Sequence, residues 1–147
     1  YCLREADLTL LPSQYMGEWL AQHHIQPRQT VRIPNLIESS AKLASERPST
    51  GEHLAFFGRL ETRKGLELFC AAVDQMLAQA PPALLPKRIS FVGKSGEVGN
   101  SNARLYLRRF IRRWQKRGIN VALQTKLSAP EALSYLKQSG AIAVMPA

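Results

Sequence analysis

From His53 onward the chain alternates short apolar runs with stretches of helical period, and this alternation narrows its possible folds more than any other feature. Leu54-Ala-Phe-Phe57, Arg88-Ile-Ser-Phe-Val92, Val121-Ala-Leu-Gln-Thr125 and Ala141 to Met145 have the length and apolar content of buried strands. Between the first two, Leu66, Phe69, Cys70, Val73 and Leu77 mark one face of a helix that stops before Pro81-Pro82. A helix from about Ala103 to Lys116 follows the second strand, with Leu107, Phe110, Ile111 and Trp114 inward and Gly118 as its stop. A third helix, Pro130 to Gln138, begins after Ser128. Strands separated by helices demand crossover connections, so the expected fold is α/β: a Rossmann-like parallel sheet with helices on both faces. Ligands of such sheets bind beyond the carboxyl ends of the strands, which directs attention to the loops after Phe57, Val92 and Thr125.

The first part of the chain is less regular. Ala6 to Pro12 has the pattern of a short strand, and Ser13 stands at an N-cap position before Met16, Trp19 and Leu20 at helical spacing. Thr30-Val-Arg-Ile33 is a further strand, broken by Pro34-Asn35. Glu38 to Glu52 is rich in Ser, Ala and charge, contains Pro48 and Gly51, and has the composition of a linker. The chain opens on Tyr1 and closes just after an expected strand, so we expect a fragment truncated at both ends.

Its 147 residues suit about one ordinary domain, and 45% hydrophobic with 21% charged residues is a globular composition. No apolar run approaches the ~18 residues a membrane span requires. Cys2 and Cys70, with His23, His24 and His53, show neither a disulfide framework nor zinc spacing, so no metal is expected and a reducing compartment fits. The balance of 20 basic against 11 acidic residues gives +9 and favours a polyanionic partner.

Chemistry concentrates in Phe57-Gly-Arg-Leu-Glu-Thr-Arg-Lys-Gly-Leu66, which leaves a strand and enters a helix. Gly58 permits a sharp turn, Arg59 offers a fork of donors to phosphate oxygens, and Lys64 lies near the positive end of the helix. A diphosphate clamp and an ordinary basic surface loop both fit this spacing, which is neither a Walker A nor a dinucleotide fingerprint.

The run Gly58 to Leu66 resembles the signature of the group 1 (family 4) retaining glycosyltransferases, in which a strand ends in Gly-Arg and Lys-Gly follows. The resemblance extends to Ala6-Asp7 through Pro12-Ser13, to Val31-Arg-Ile-Pro-Asn35, to Phe91-Val-Gly93 with Gly96, and to Ala141 through Pro146. It implies a GT-B enzyme, with residues 1–37 ending the acceptor-side domain, 38–52 the linker, and 53–147 most of the nucleotide-sugar-binding domain. The implied reaction moves a sugar from a nucleoside diphosphate to a saccharide, glycoconjugate or lipid-linked acceptor with retention of configuration, as in polysaccharide biosynthesis. Neither cofactor nor metal is implied, and the localisation is cytoplasmic. Gly58, Arg59 and Lys64 match the donor-diphosphate positions, with Gly93, Lys126 and Leu127 on donor nucleotide loops. Catalytic and acceptor groups are expected outside residues 1–147, so the chain alone is expected not to turn over. Leu36 and Thr125 depart from the family, which often has Gly at both places, and the loop Gly93 to Asn100 is longer than a plain Gly-x-Gly.

Arg104, Arg108, Arg109, Arg112, Arg113, Lys116 and Arg117 crowd one helix beside Tyr106, Phe110 and Trp114. Two accounts fit: peripheral contact with an anionic membrane, at its cytoplasmic face, or a solvated arginine face over a buried apolar stripe. His23-His24 is read as an exposed helix end and Ser13 as a cap. Two rival functions are a nucleic-acid-binding domain, against which stands the core spacing of the aromatics, and a dinucleotide-binding domain, which lacks its Gly-x-Gly-x-x-Gly turn.

Overall fold

The computed structural model describes residues 2–35 and 51–146. Its backbone forms two compact units, Tyr1–Leu43 and Ala44–Ala147. The linker expected over 38–52 lies outside the described residues except for Gly51 and Glu52, as does the departure at Leu36.

The first unit begins with a one-turn helix, α1 (Cys2–Glu5), which the sequence pattern does not reveal. Strand β1 (Thr9–Leu11), helix α2 (Gln14–Gln22) and strand β2 (Thr30–Arg32) then form a parallel βαβ unit, with Thr9 opposite Thr30 and Leu11 opposite Arg32. The Ser13 side chain caps α2 by accepting from the Met16 amide at 3.2 Å. Only Leu20 of the expected apolar stripe is buried; Met16 and Trp19 stay exposed, and the Trp19 ring instead stacks on His23 with centroids 4.0 Å apart. His24 takes a left-handed conformation at the helix end, and both histidines are exposed.

The second unit is an α/β fold. Its strands β3 (His53–Phe57), β4 (Arg88–Val92), β7 (Asn120–Gln124) and β8 (Ile142–Val144) make a four-stranded parallel sheet in the order β7-β4-β3-β8. The chain lays down β3, β4 and β7 in one direction, then returns to place β8 on the free side of β3. That reversal defines a topological switch point between β3 and β8. Between β4 and β7, the loop expected after Val92 contains a two-strand antiparallel ribbon, β5 (Glu97–Val98) and β6 (Ser101–Asn102). Pieces of two residues turning at Gly99-Asn100 leave no periodic signal, although Val98 is buried.

Helices α3 (Leu66–Gln79) and α4 (Ala103–Gln115) cover one sheet face, and α5 (Ala129–Ser139) meets the other. On the first face Phe56, Ile89 and Phe91 join Leu66, Phe69, Cys70, Val73, Leu77, Leu107, Phe110 and Trp114 in one core. Phe91 is its centre, stacked on Trp114 at 6.1 Å and edge-on to Phe69 at 5.8 Å. Burying such side chains contributes about 1.5–3 kcal/mol each. The indole of Trp114 keeps its N–H satisfied by donating to Asp74 at 2.7 Å. Burial pushes the Cys70 thiol up to about 12, with Asp74 adding to the effect, which keeps it a protonated core group.

The opposite face is polar where α5 crosses it. Arg88 donates to the Tyr135 hydroxyl at 2.9 Å, which lies 2.8 Å from Ser90 Oγ, and Ser90 lies 2.8 Å from His53 Nε2. His53 Nδ1 faces the Ser139 carbonyl at 3.4 Å, so the proton belongs on Nδ1 and Nε2 accepts from Ser90. Burial, opposed by the Ser139 bond and aided by the Arg88 charge, lowers the His53 pKa from 6.5 and keeps the ring neutral. The cap of α5 is a Ser128–Glu131 pair: the Glu131 carboxylate accepts from the Ser128 amide and hydroxyl, both at 2.7 Å, and these bonds lower its pKa.

Candidate functional site

The carboxyl end of the sheet carries the loops after β3, β4 and β7, together with Met145-Pro146 after β8. The first two are zipped together by an extension of the sheet ladder. Gly58 N–H donates to the Val92 carbonyl at 3.0 Å, Leu60 N–H to Lys94 at 2.9 Å, and Gly96 N–H to Leu60 at 3.0 Å. Gly58 (φ +152°) and Gly93 (φ +148°) lie back to back: a Cβ on Gly93 would overlap the Gly58 carbonyl oxygen and sit 2.7 Å from its carbon. Glycine at 93 is thus required by the backbone packing itself, before any ligand is considered.

After the buried Leu60 the chain makes a 3₁₀ turn, Thr62–Lys64, and then Gly65 enters the left-handed region at φ +69°. Gly65 is the N-cap of α3 and supplies no side-chain cap, so the first-turn amides of a 14-residue helix keep their capacity for an anion. A Cβ on Gly65 would come within 2.8 Å of the Pro146 Cβ, which places the end of β8 against this helix start. The helix N-terminus therefore lies at the switch point, where the sheet topology directs a ligand.

Beside it, an open recess of about 690 Å³ is lined by Arg59, Glu61, Thr62, Arg63, Gly96, Glu97 and Gly99. Glu61 is the organising residue. Its carboxylate lies 3.0 Å from Arg63 Nη2 and 3.8 Å from Arg59 Nη1, with its side chain 16% exposed against 63% for Arg59 and 74% for Arg63. The ribbon closes the far side through a hydrogen bond from the Gly99 amide to the Thr62 hydroxyl at 3.0 Å. Chemically this is a shallow, charge-balanced recess: two guanidinium groups share the Glu61 carboxylate, and Glu97 adds a second acid to the lining.

Of the residues singled out by sequence, Arg59 lines the recess, while Gly58 and Gly93 form the paired backbone beneath the two loops. Lys64 is half-buried on the 3₁₀ turn beside Gly65 and lies outside the recess lining. Recess and helix start adjoin without coinciding, and the helix start is the better anion site, because an anion there meets fixed backbone donors rather than exposed side chains. Exposed Lys126 and half-buried Leu127 follow β7 and do not line the recess either. Their neighbour Thr125 accepts from Arg104 at 2.6 Å, a hydroxyl role that Gly cannot fill. Arg63 and the bridging Glu61 also belong to the recess, and the alternation of charge in Arg59, Glu61 and Arg63 is the one signal of them that the sequence carries.

Among the described residues, no group of three or more His, Cys, Asp or Glu is placed to hold a metal ion, and no helix is long and apolar enough to cross a membrane. Comparison with family models, with curated proteins and with solved structures returns no match.

Proposed function

We propose that this chain carries the donor-diphosphate site of a retaining glycosyltransferase of GT-B type. The observation that carries the reading is the junction of β3 and α3: Gly58-Arg59 leaves the strand, and Lys64-Gly65 opens an uncapped helix at the switch point of a parallel sheet. The diphosphate of a nucleotide sugar would sit at the first-turn amides, with Lys64 beside it and Arg59 swung from Glu61 to the phosphate oxygens. As the bond between sugar and diphosphate breaks, negative charge builds on the leaving group, and fixed donors stabilise that charge most. Gly93, Lys126 and Leu127 would border the nucleotide. Neither metal nor cofactor enters this scheme.

Calorimetric titration of UDP, GDP and ADP into the chain and into an Arg59→Ala, Lys64→Ala variant tests the reading. Each charge-assisted contact is worth about 1.5–3 kcal/mol, so the pair of substitutions abolishes measurable binding of the preferred nucleotide. Equal, salt-sensitive binding of all three nucleotides by both proteins would show a merely basic surface.

A further inference from the structure

The arginine-rich helix α4 is not explained by a donor site, and the structure divides the seven basic residues of this helix and of the turn that follows it, Lys116 and Arg117 included, into two groups. Four are engaged within the fold. Arg104 donates to Thr125, Arg109 lies 5.0 Å over the Tyr106 ring and 4.8 Å over Phe110, and Arg117 donates to the Leu77 carbonyl at 2.8 Å. Arg113 pairs with Asp74 at 3.1 Å while lying 5.2 Å over Phe110. The other three, Arg108, Arg112 and Lys116, are exposed and make no such contact among the described residues.

These three follow one another at four-residue spacing, so they form one row about 12 Å long on the helix surface. The row lies opposite Leu107, Phe110 and Trp114, at the crest of the helix. Leu105, three residues before Arg108, shares that crest and is 63% exposed. No acidic residue interrupts Ala103 to Gln115. A row of unpaired cations around an exposed leucine matches the interface of an anionic bilayer, where the charges meet lipid phosphates and the leucine enters the acyl boundary. Nucleic acid fits less well: the aromatic rings of this helix are withdrawn from the crest, Phe110 and Trp114 in the core and Tyr106 half-buried next to Arg109, leaving none to stack on bases.

We propose that the Leu105–Arg108–Arg112–Lys116 crest of α4 docks this chain on an anionic membrane surface. Each basic residue near such a surface is worth roughly fivefold in partition, so the three together contribute on the order of a hundredfold. The test is co-sedimentation of the whole chain with phosphatidylglycerol/phosphatidylcholine vesicles and with phosphatidylcholine vesicles at about 0.15 M salt. Three variants accompany it: R108Q/R112Q/K116Q, L105Q, and R4Q/R32Q/K87Q, which removes equal charge elsewhere. The expected result is binding to the anionic vesicles alone, lost about a hundredfold in the first variant, several-fold in the second, and much less in the third. Equal loss in the first and third variants would overturn the proposal, as would wild-type binding by L105Q. Indifference to vesicles combined with α4-dependent binding of single-stranded RNA would overturn it in favour of a nucleic-acid surface.

Discussion

Glu61→Gln should strengthen anion binding, although it removes two ion pairs. The carboxylate holds Arg63 at 3.0 Å and Arg59 at 3.8 Å, and any diphosphate recruiting Arg59 must first separate that guanidinium from Glu61. Both arginines are more than half exposed, so solvent screens the pairs and each is worth about 0.2–1 kcal/mol. Only the Arg59 pair has to break for the ligand to bind, so its removal gives about 0.2–1 kcal/mol, or up to about fivefold in affinity. Repulsion between Glu61 and a bound phosphate adds with the same sign. Glutamine keeps the shape beside Gly96, where the Glu61 Cβ and carboxylate pack closely, so the loop should hold its conformation. Calorimetry with inorganic pyrophosphate and with UDP at about 0.15 M salt measures the effect directly. Unchanged or weaker binding with an intact fold would refute the competition between Glu61 and the ligand for Arg59.

Further expectations concern the scaffold. Gly93→Ala should destabilise the chain by more than about 2 kcal/mol in urea unfolding, because φ +148° and the Gly58 carbonyl both oppose a side chain. Gly99→Ala, at φ +56° with nothing nearby, should cost only about 1 kcal/mol by the same measurement. Phe91→Ala should cost about 3–5 kcal/mol in thermal or urea unfolding, since its ring meets Phe56, Phe69 and Trp114 with no exposure. His53 is held below its ordinary 6.5, so the unfolded chain binds its proton more readily. Its contribution is full above pH about 6.5 and declines as pH falls through that value toward the lower folded-state pKa. Urea midpoints at about pH 7.5 and about pH 5.5 should therefore diverge less in His53→Gln than in the native chain.

The second unit was legible because its strands and helices obey simple periods. The alternating runs specified four parallel strands, and Leu66, Phe69, Cys70, Val73 and Leu77 specified the buried stripe of α3. What escaped was of two kinds. Short pieces such as α1 and the β5–β6 ribbon span too few residues to express a period. In α2, by contrast, the period was present but Met16 and Trp19 are exposed, because burial depends on what covers a face and not on the face alone. At the site, the Gly58-Arg59 and Lys64-Gly65 junction was visible as a strand-to-helix turn. The Gly58–Gly93 contact joins residues 35 positions apart, and the sharing of Glu61 by two arginines depends on rotamers, so neither follows from spacing. The engaged arginines of α4 likewise became distinguishable from the free ones only once Asp74, Leu77 and Thr125 were placed beside them.

The most direct test of the central claim is to map UDP onto the chain by amide chemical-shift perturbation in NMR. The account requires saturable shifts centred on Gly58 to Leu68, with the Leu66–Leu68 amides strongest, and smaller ones over Lys94 to Gly99. Shifts confined to α4, or scattered over exposed basic residues and linear in ligand concentration, would contradict a diphosphate site at the β3–α3 junction.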